Sequence, residues 1–108
     1  MTTGSVEVVL TGELDISTVD DAQEQIEAAE AGSPPLLVID LSRLEFVDSS
    51  GVRLVLLADD RARAAGRRIA VRLGTRHALR AFQALGLVDK LDVAPSAPDN
   101  ASVDGTSR

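Results

Sequence analysis

A chain of 108 residues with 44% apolar side chains is long enough to bury one core without disulfides or metals, and leaves no room for a second domain. With no cysteine there is no disulfide framework, thiolate metal site or cysteine nucleophile, and the lone His77 makes no zinc site by itself. A net charge of −6 and only two aromatic residues argue against nucleic-acid binding, which needs a basic surface and rings that stack on bases.

The charge is unevenly spread. Residues 1–40 hold nine acids and no Lys or Arg, whereas residues 61–80 hold seven arginines and no acid. Such a division describes either two solvated faces that attract each other within the fold or a polarised surface that orients a charged partner. The start, Met1-Thr2-Thr3-Gly4-Ser5, has neither the basic nor the apolar segment of a signal peptide, and no apolar run approaches the ~20 residues of a membrane span. A soluble cytoplasmic protein without a membrane partner is expected.

Val6 to Thr11 is rich in β-branched residues and predicts a strand, followed by a turn at Gly12-Glu13-Leu14-Asp15. A helix is expected from Ser17 or Thr18, with the hydroxyl as its cap, Asp20 and Asp21 in its positive first turn, and Val19, Ala22, Ile26 and Ala29 on one buried stripe. Gly32 and Pro34-Pro35 stop it. Leu36 to Leu41, interrupted only by Asp40, has the pattern of a central strand covered on both faces.

Asp48-Ser49-Ser50-Gly51 then opens a second helix that ends near Ala65-Gly66. A helix start leaves about four backbone N–H groups unpaired and carries roughly half a positive charge, so Asp48 or Ser49 fits as an N-cap, and a phosphate on a serine there is also accommodated. The helix is apolar at Val52, Leu54, Val55, Leu56, Leu57 and Ala58, more than one stripe hides. Either its first half is fully buried, or some of Val52, Leu54 and Leu56 form a patch for a partner.

Ile69 to Leu73 predicts another strand, and Arg76 to Leu85 a third helix with His77 exposed and Leu79, Phe82 and Leu85 facing inward. Gly86 reads as its left-handed stop, with Leu87 folding back on Phe82. Leu91 to Ala94 predicts a short last strand. Beyond Pro95 the chain is rich in Ser, Asp, Pro and Gly and lacks an apolar face, so the expected division is one domain over 1–94 and a disordered tail over 95–108.

The order of elements implies an α/β fold: a single small domain with a mostly parallel, mixed β-sheet of about four strands and about three helices. In such sheets ligands and partners meet the carboxyl edge of the strands, and the turns holding Asp15 and Asp48 to Gly51 follow the first and second strands. The two turns are therefore expected to converge. Catalysis has little to build on. There is no Gly-x-Ser-x-Gly elbow, only His77 is available as a base for Ser49 or Ser50, and no Gly-rich phosphate loop occurs.

Four segments together, Gly12-Glu13-Leu14-Asp15, Val38-Ile39-Asp40-Leu41, Phe46-Val47-Asp48-Ser49-Ser50-Gly51-Val52 and Gly86-Leu87, resemble the STAS domain of bacterial anti-sigma factor antagonists. The likeness covers about residues 5 to 94. It implies a cytoplasmic transcription regulator, not an enzyme and without metal or cofactor, that binds an anti-sigma factor serine kinase of the GHKL type and so frees a sigma factor. In that family the second serine of the turn takes a phosphate, which corresponds to Ser50. The resemblance further implies that Asp48 positions that serine and contacts the partner, that Asp15 lines the same surface, and that Ser49, Gly51 and Val52 complete it.

A phosphoserine adds about −1.5 to −2 charges at pH 7, and beside Asp48 and Asp15 it is expected to weaken partner binding without refolding the domain. Gly51, lacking a Cβ, is expected to let a kinase active site approach the backbone. The alternative is a STAS adaptor that is never phosphorylated, docked on a transporter ATPase or in a sensory scaffold; the intact pair Ser49-Ser50 favours the switch. The sequence departs from the family pattern at both ends: four residues precede Ser5 where members usually carry an extra strand, and the Pro-Ser-Asp tail stands where they often carry a helix. An exposed sheet edge is the expected consequence.

Overall fold

The computed structural model describes residues 4–94; the expected disordered tail over 95–108 lies outside the described residues. In chain order the elements are β1 (Ser5–Val9), β2 (Gly12–Leu14), α1 (Val19–Glu30), β3 (Leu36–Asp40), β4 (Leu44–Val47), α2 (Ser49–Ala64), β5 (Arg68–Arg72), α3 (His77–Ala84), a 3-10 turn at Val88–Lys90 and β6 (Asp92–Val93). The main sheet has the order β1-β3-β5-β6, and every neighbouring pair in it is parallel. Parallel neighbours need long crossovers, and α1, α2 and α3 supply them.

The register separates two rows of side chains. Val6, Leu37 and Ile69 lie abreast, as do Val8, Ile39 and Val71; Leu37, Ile69, Ile39 and Val71 enter the core with Ile26 of α1, Val55 and Ala58 of α2 and Phe82 of α3, Val8 packs against it, and Val6 stays exposed at the edge. The alternate row carries Glu7, Val38 and Ala70, then Val9, Asp40 and Arg72. Asp40 is only 5% exposed, and Arg72 ties it to the edge strand by bonding both Asp40 Oδ2, at 3.3 Å, and the Glu7 carboxylate. Burial pushes the Asp40 carboxyl up, but the hydroxyl and N–H of Ser42, at 2.6 and 2.8 Å, together with Arg72 hold it below the ordinary range.

Three pairs, Glu7–Arg72, Asp40–Arg72 and Glu30–Arg61, join the acidic first part of the chain to the arginine-rich part. Attraction within the fold thus accounts for some of the charge division, while Asp20, Asp21, Glu24 and Glu27 of α1 remain on an exposed face.

Several elements differ from expectation for local reasons. Gly12 to Leu14 is a strand rather than a turn, because it pairs in parallel with Leu44 to Val47, a strand the sequence reading did not assign, and Leu14 is buried. Thr18 is the N-cap residue of α1 but makes no side-chain cap. Its hydroxyl turns back to donate to Glu13 O at 2.8 Å and accept from Asp15 N–H at 3.0 Å.

The left-handed residue after α1 is Ser33 (φ 50°), not Gly32, and its N–H donates to Glu30 O. Leu85 faces outward, 53% exposed, because the chain leaves helical geometry there. His77 is half-buried instead of exposed. Gly86, at φ 69°, ends α3 in the paired arrangement expected of a left-handed stop, with Gly86 N–H on Gln83 O and Leu87 N–H on Phe82 O. At the sheet edge, β1 pairs only with β3 among the described residues, and Val6 and Val9 are each 39% exposed.

Candidate functional site

The short β2–β4 pair builds the site. Leu14 lies opposite Val47, and one residue further on the Asp48 N–H donates to Leu14 O at 3.1 Å. The Asp15 and Asp48 turns therefore leave this pair side by side. They do converge, but as the ends of β2 and β4 and not directly from β1 and β3. The contact is tight: a Cβ on Gly51 would sit 2.6 Å from Leu14 Cγ and 3.3 Å from Leu14 O. Gly51 is thus required by packing against Leu14. It is buried, which overturns the expectation that it opens the backbone to a kinase.

Asp48 is the N-cap of α2. Its backbone is extended (φ −109°, ψ −173°), its Oδ1 accepts from Ser50 N–H at 2.8 Å, and its carbonyl accepts from Val52 N–H. The carboxylate thereby holds the Ser50 backbone in place and occupies one of the unpaired donors at the helix start. The hydroxyls of Ser49 and Ser50 have no hydrogen-bond partner among the described residues; Ser49 is exposed and Ser50 half-buried. Asp15 is turned inward on its own loop, where its Oδ1 accepts from the Ser17 hydroxyl and N–H at 2.7 and 2.9 Å and from Thr18 N–H at 3.1 Å. The Ser17 hydroxyl is the main reason its carboxyl lies below the ordinary range, so Asp15 stays charged beside the serine turn.

Two shallow grooves meet at Ser50. One, of about 540 Å³, is lined by Ser49, Ser50, Val52, Arg53, Leu56, Leu85 and Leu87. The other, of about 230 Å³, runs past Ser50 and Arg53 between α1 and α2, with Ile16, Val19, Leu54 and Leu57 among its walls. The choice left open for α2 is now settled residue by residue. Val52 and Leu54 are buried (2% and 4% exposed), Leu56 is half-buried, and the exposed member is Leu57 at 45%. Val52 therefore shapes the groove from beneath and offers almost no surface itself.

Ile16, at 76% exposure, and Leu85 extend the apolar rim. The sequence reading did not assign Ile16, Arg53, Leu57 or Leu85 to the site, and it expected Leu85 to face inward. Ser50, Arg53 and Leu57 follow the i, i+3, i+7 spacing of one helix face, which was the available signal. Arg53 is exposed and has no partner among the described residues, so a positive charge stands one turn beyond Ser50.

Comparison with known proteins agrees with this construction. The family model described as Mlab, STAS domain matches residues 1–93. No curated protein matches the chain. An anti-sigma factor antagonist from Mycobacterium paratuberculosis is similar in structure at a TM-score of 0.74 and 29% identity, over 92% of this chain and 84% of its own. The anti-sigma factor antagonist SpoIIAA in its unphosphorylated form is similar at 0.71 and 27%, over 92% and 86%. A sulfate transporter family protein from Wolinella succinogenes shares the fold at 0.73 with 14% identity, over 91% and 81%. With the family match running through residue 93, and with both turns in place on the fold, this chain belongs to the STAS domain family.

Proposed function

We propose that this protein is an anti-sigma factor antagonist. It binds an anti-sigma factor serine kinase of the GHKL type through the surface around Ser50, frees a sigma factor, and is switched off when that kinase phosphorylates Ser50. The observation that carries this reading is the Ser50 hydroxyl in the first turn of α2, without a hydrogen-bond partner among the described residues, set between two apolar-rimmed grooves and next to the Asp48 carboxylate that caps the helix. Support also comes from two similar structures, at 29% and 27% identity, that are anti-sigma factor antagonists, one of them described in its unphosphorylated form. The protein is then a cytoplasmic binding module, not a catalyst, and needs neither metal nor cofactor.

The physical basis of the switch is local charge. Asp48 already takes the Ser50 N–H, so a phosphate on the Ser50 hydroxyl adds about −1.5 to −2 charges without displacing the cap. The helix dipole tolerates the group, and the domain stays folded. A partner closing over both grooves meets a bulky dianion next to the Asp48 cap, and its affinity falls.

The test is incubation with the cognate kinase and ATP followed by mass spectrometry. One added phosphate is expected, abolished in Ser50→Ala, with Ser50→Ala binding constitutively and Ser50→Asp binding weakly in calorimetry. Phosphate on Ser49 would refute the assignment, and equal affinities for the two variants would refute the switch. Stable capture by a transporter ATPase, with no phosphorylation by any kinase, would instead establish the adaptor role.

A further inference from the structure

At the end of α2 remote from Ser50, a crevice of about 240 Å³ lies between the last turns of that helix and strands β5 and β6. Its walls are Asp59, Arg63, Arg67, Arg68, Ile69 and Asp92, so arginines exceed carboxylates by one charge. The two carboxylates are already engaged. Asp59, 7% exposed, accepts from Arg63 Nε at 2.8 Å, and Asp92 Oδ2 accepts from Arg68 Nε and Nη2 at 3.2 and 3.0 Å. These bonds orient two guanidinium groups and leave both Nη groups of Arg63 and Nη1 of Arg68 for other acceptors.

Arg67 is different. Its main chain is fixed, the N–H donating to Ala62 O at 2.8 Å, but its Nη1 is buried and has no acceptor among the described residues. A buried donor on a charged group that lacks a partner is a costly arrangement, and such groups are ordinarily completed by an ion or water.

We infer that this crevice binds a small phosphate-type anion, with Arg67 as its anchor and Arg63 and Arg68 at its rim. The chemistry fits that class. A tetrahedral oxyanion presents acceptors in several directions to guanidinium groups that approach from different sides, where a planar carboxylate presents only two oxygens. The volume holds a phosphate and its ester carbon and falls below that of sites for drug-sized ligands. Phosphate neutralises the excess positive charge, while Asp59 and Asp92 remain bonded to their own arginines. The site is independent of Ser50 and stands whether or not the antagonist reading does.

The experiment is a titration followed by ¹H–¹⁵N correlation spectra of the backbone amides and arginine Nε–H groups. Inorganic phosphate is compared with sodium chloride at matched ionic strength. Saturable shifts are expected at Arg67 and Arg68 Nε and at the Ile69 amide, with chloride reproducing none of them. Arg67→Gln, checked for folding by circular dichroism, is expected to raise the dissociation constant at least fivefold, and Arg80→Gln, on exposed α3 surface, to leave it unchanged.

Glycerol 3-phosphate binding at least threefold more tightly than inorganic phosphate identifies a phosphate ester as the occupant; equal affinity identifies free phosphate. Shifts that chloride reproduces, that never saturate, or that survive Arg67→Gln overturn the proposal. Should Arg67→Gln fail to fold, the wild-type titration decides, since the absence of saturation at Arg67 Nε overturns it alone.

Discussion

The Asp48 N–H donates to the Leu14 carbonyl at 3.1 Å, and through this one bond the turn carrying Asp15 and the turn carrying Ser50 are held in a fixed relation. Directly beneath it, Gly51 approaches Leu14 so closely that no side chain fits between them. The surface around Ser50 is therefore set from inside the domain, by a backbone bond and a packing contact, before any exposed residue contributes.

Gly51→Ala is expected to lower stability by about 1–3 kcal/mol, as overpacking does, because Leu14 is buried and its carbonyl also lies within 3.3 Å of the new Cβ. For a domain of this size each kcal/mol moves Tm by roughly 4–8 °C. Calorimetric melting checks it, and an unchanged Tm would mean that β2 and α2 separate more readily than their geometry implies.

The cap makes a separate prediction. Asp48→Ala is expected to cost about 0.5–2 kcal/mol through loss of the acceptor for Ser50 N–H, while Asp48→Ser, which keeps a capping oxygen, recovers most of it. Urea denaturation of the two variants measures the difference. Equal losses would show that the charge of Asp48, and not its cap, stabilises the turn.

Acid titration probes Asp40. Its folded pKa lies below the ordinary value of 3.8, so its contribution to stability is fully present above that value and is lost as pH falls through the folded pKa. Asp40→Asn is expected to reduce stability at neutral pH and to flatten its decline below pH ~4, because Asn binds no proton over that range. Parallel stability curves for variant and wild type would remove Asp40 from the linkage. Arg72→Met, which leaves the buried Asp40 carboxylate without its cation, is expected to cost about 3 kcal/mol at neutral pH.

The apolar rim is testable apart from Ser50. Leu57 and Leu85 are 45% and 53% exposed, so Leu57→Glu and Leu85→Glu are expected to change stability by no more than about 0.5 kcal/mol. Each is expected to weaken binding of the anti-sigma kinase at least tenfold, read by calorimetry. Unchanged affinity in both would move the partner surface away from these grooves.

Local signals in the chain were sufficient for the elements whose hydrogen bonds and apolar faces are local. The stripe Ala22 and Ile26, the run Leu37 to Ile39, the Asp48 cap and the stop at Gly86 are written in spacing and residue type, and each is present in the fold. So is the parallel order of the main sheet, because strands separated by helices have few other ways to pair. The β2–β4 pair was not legible. Gly12-Glu13-Leu14 has the composition of a turn, and only a partner 32 or 33 residues away completes its ladder and buries Leu14.

The same distinction divides the site. The Asp48 cap and the turns that carry Asp15 and Ser50 were read from the chain because caps and turns are local, while the roles expected of Asp15 and Ser50 came from the family resemblance. That Gly51 serves Leu14 rather than a visiting kinase, that Val52 and Leu54 are covered while Leu57 is not, and that Leu85 reaches the rim beside Ser50 depend on how α2 and α3 are rotated against the sheet. A sequence with more apolar helix positions than one face can hide does not specify which of them is left exposed. Packing does, since only the positions facing the sheet and neighbouring helices find partners that exclude water.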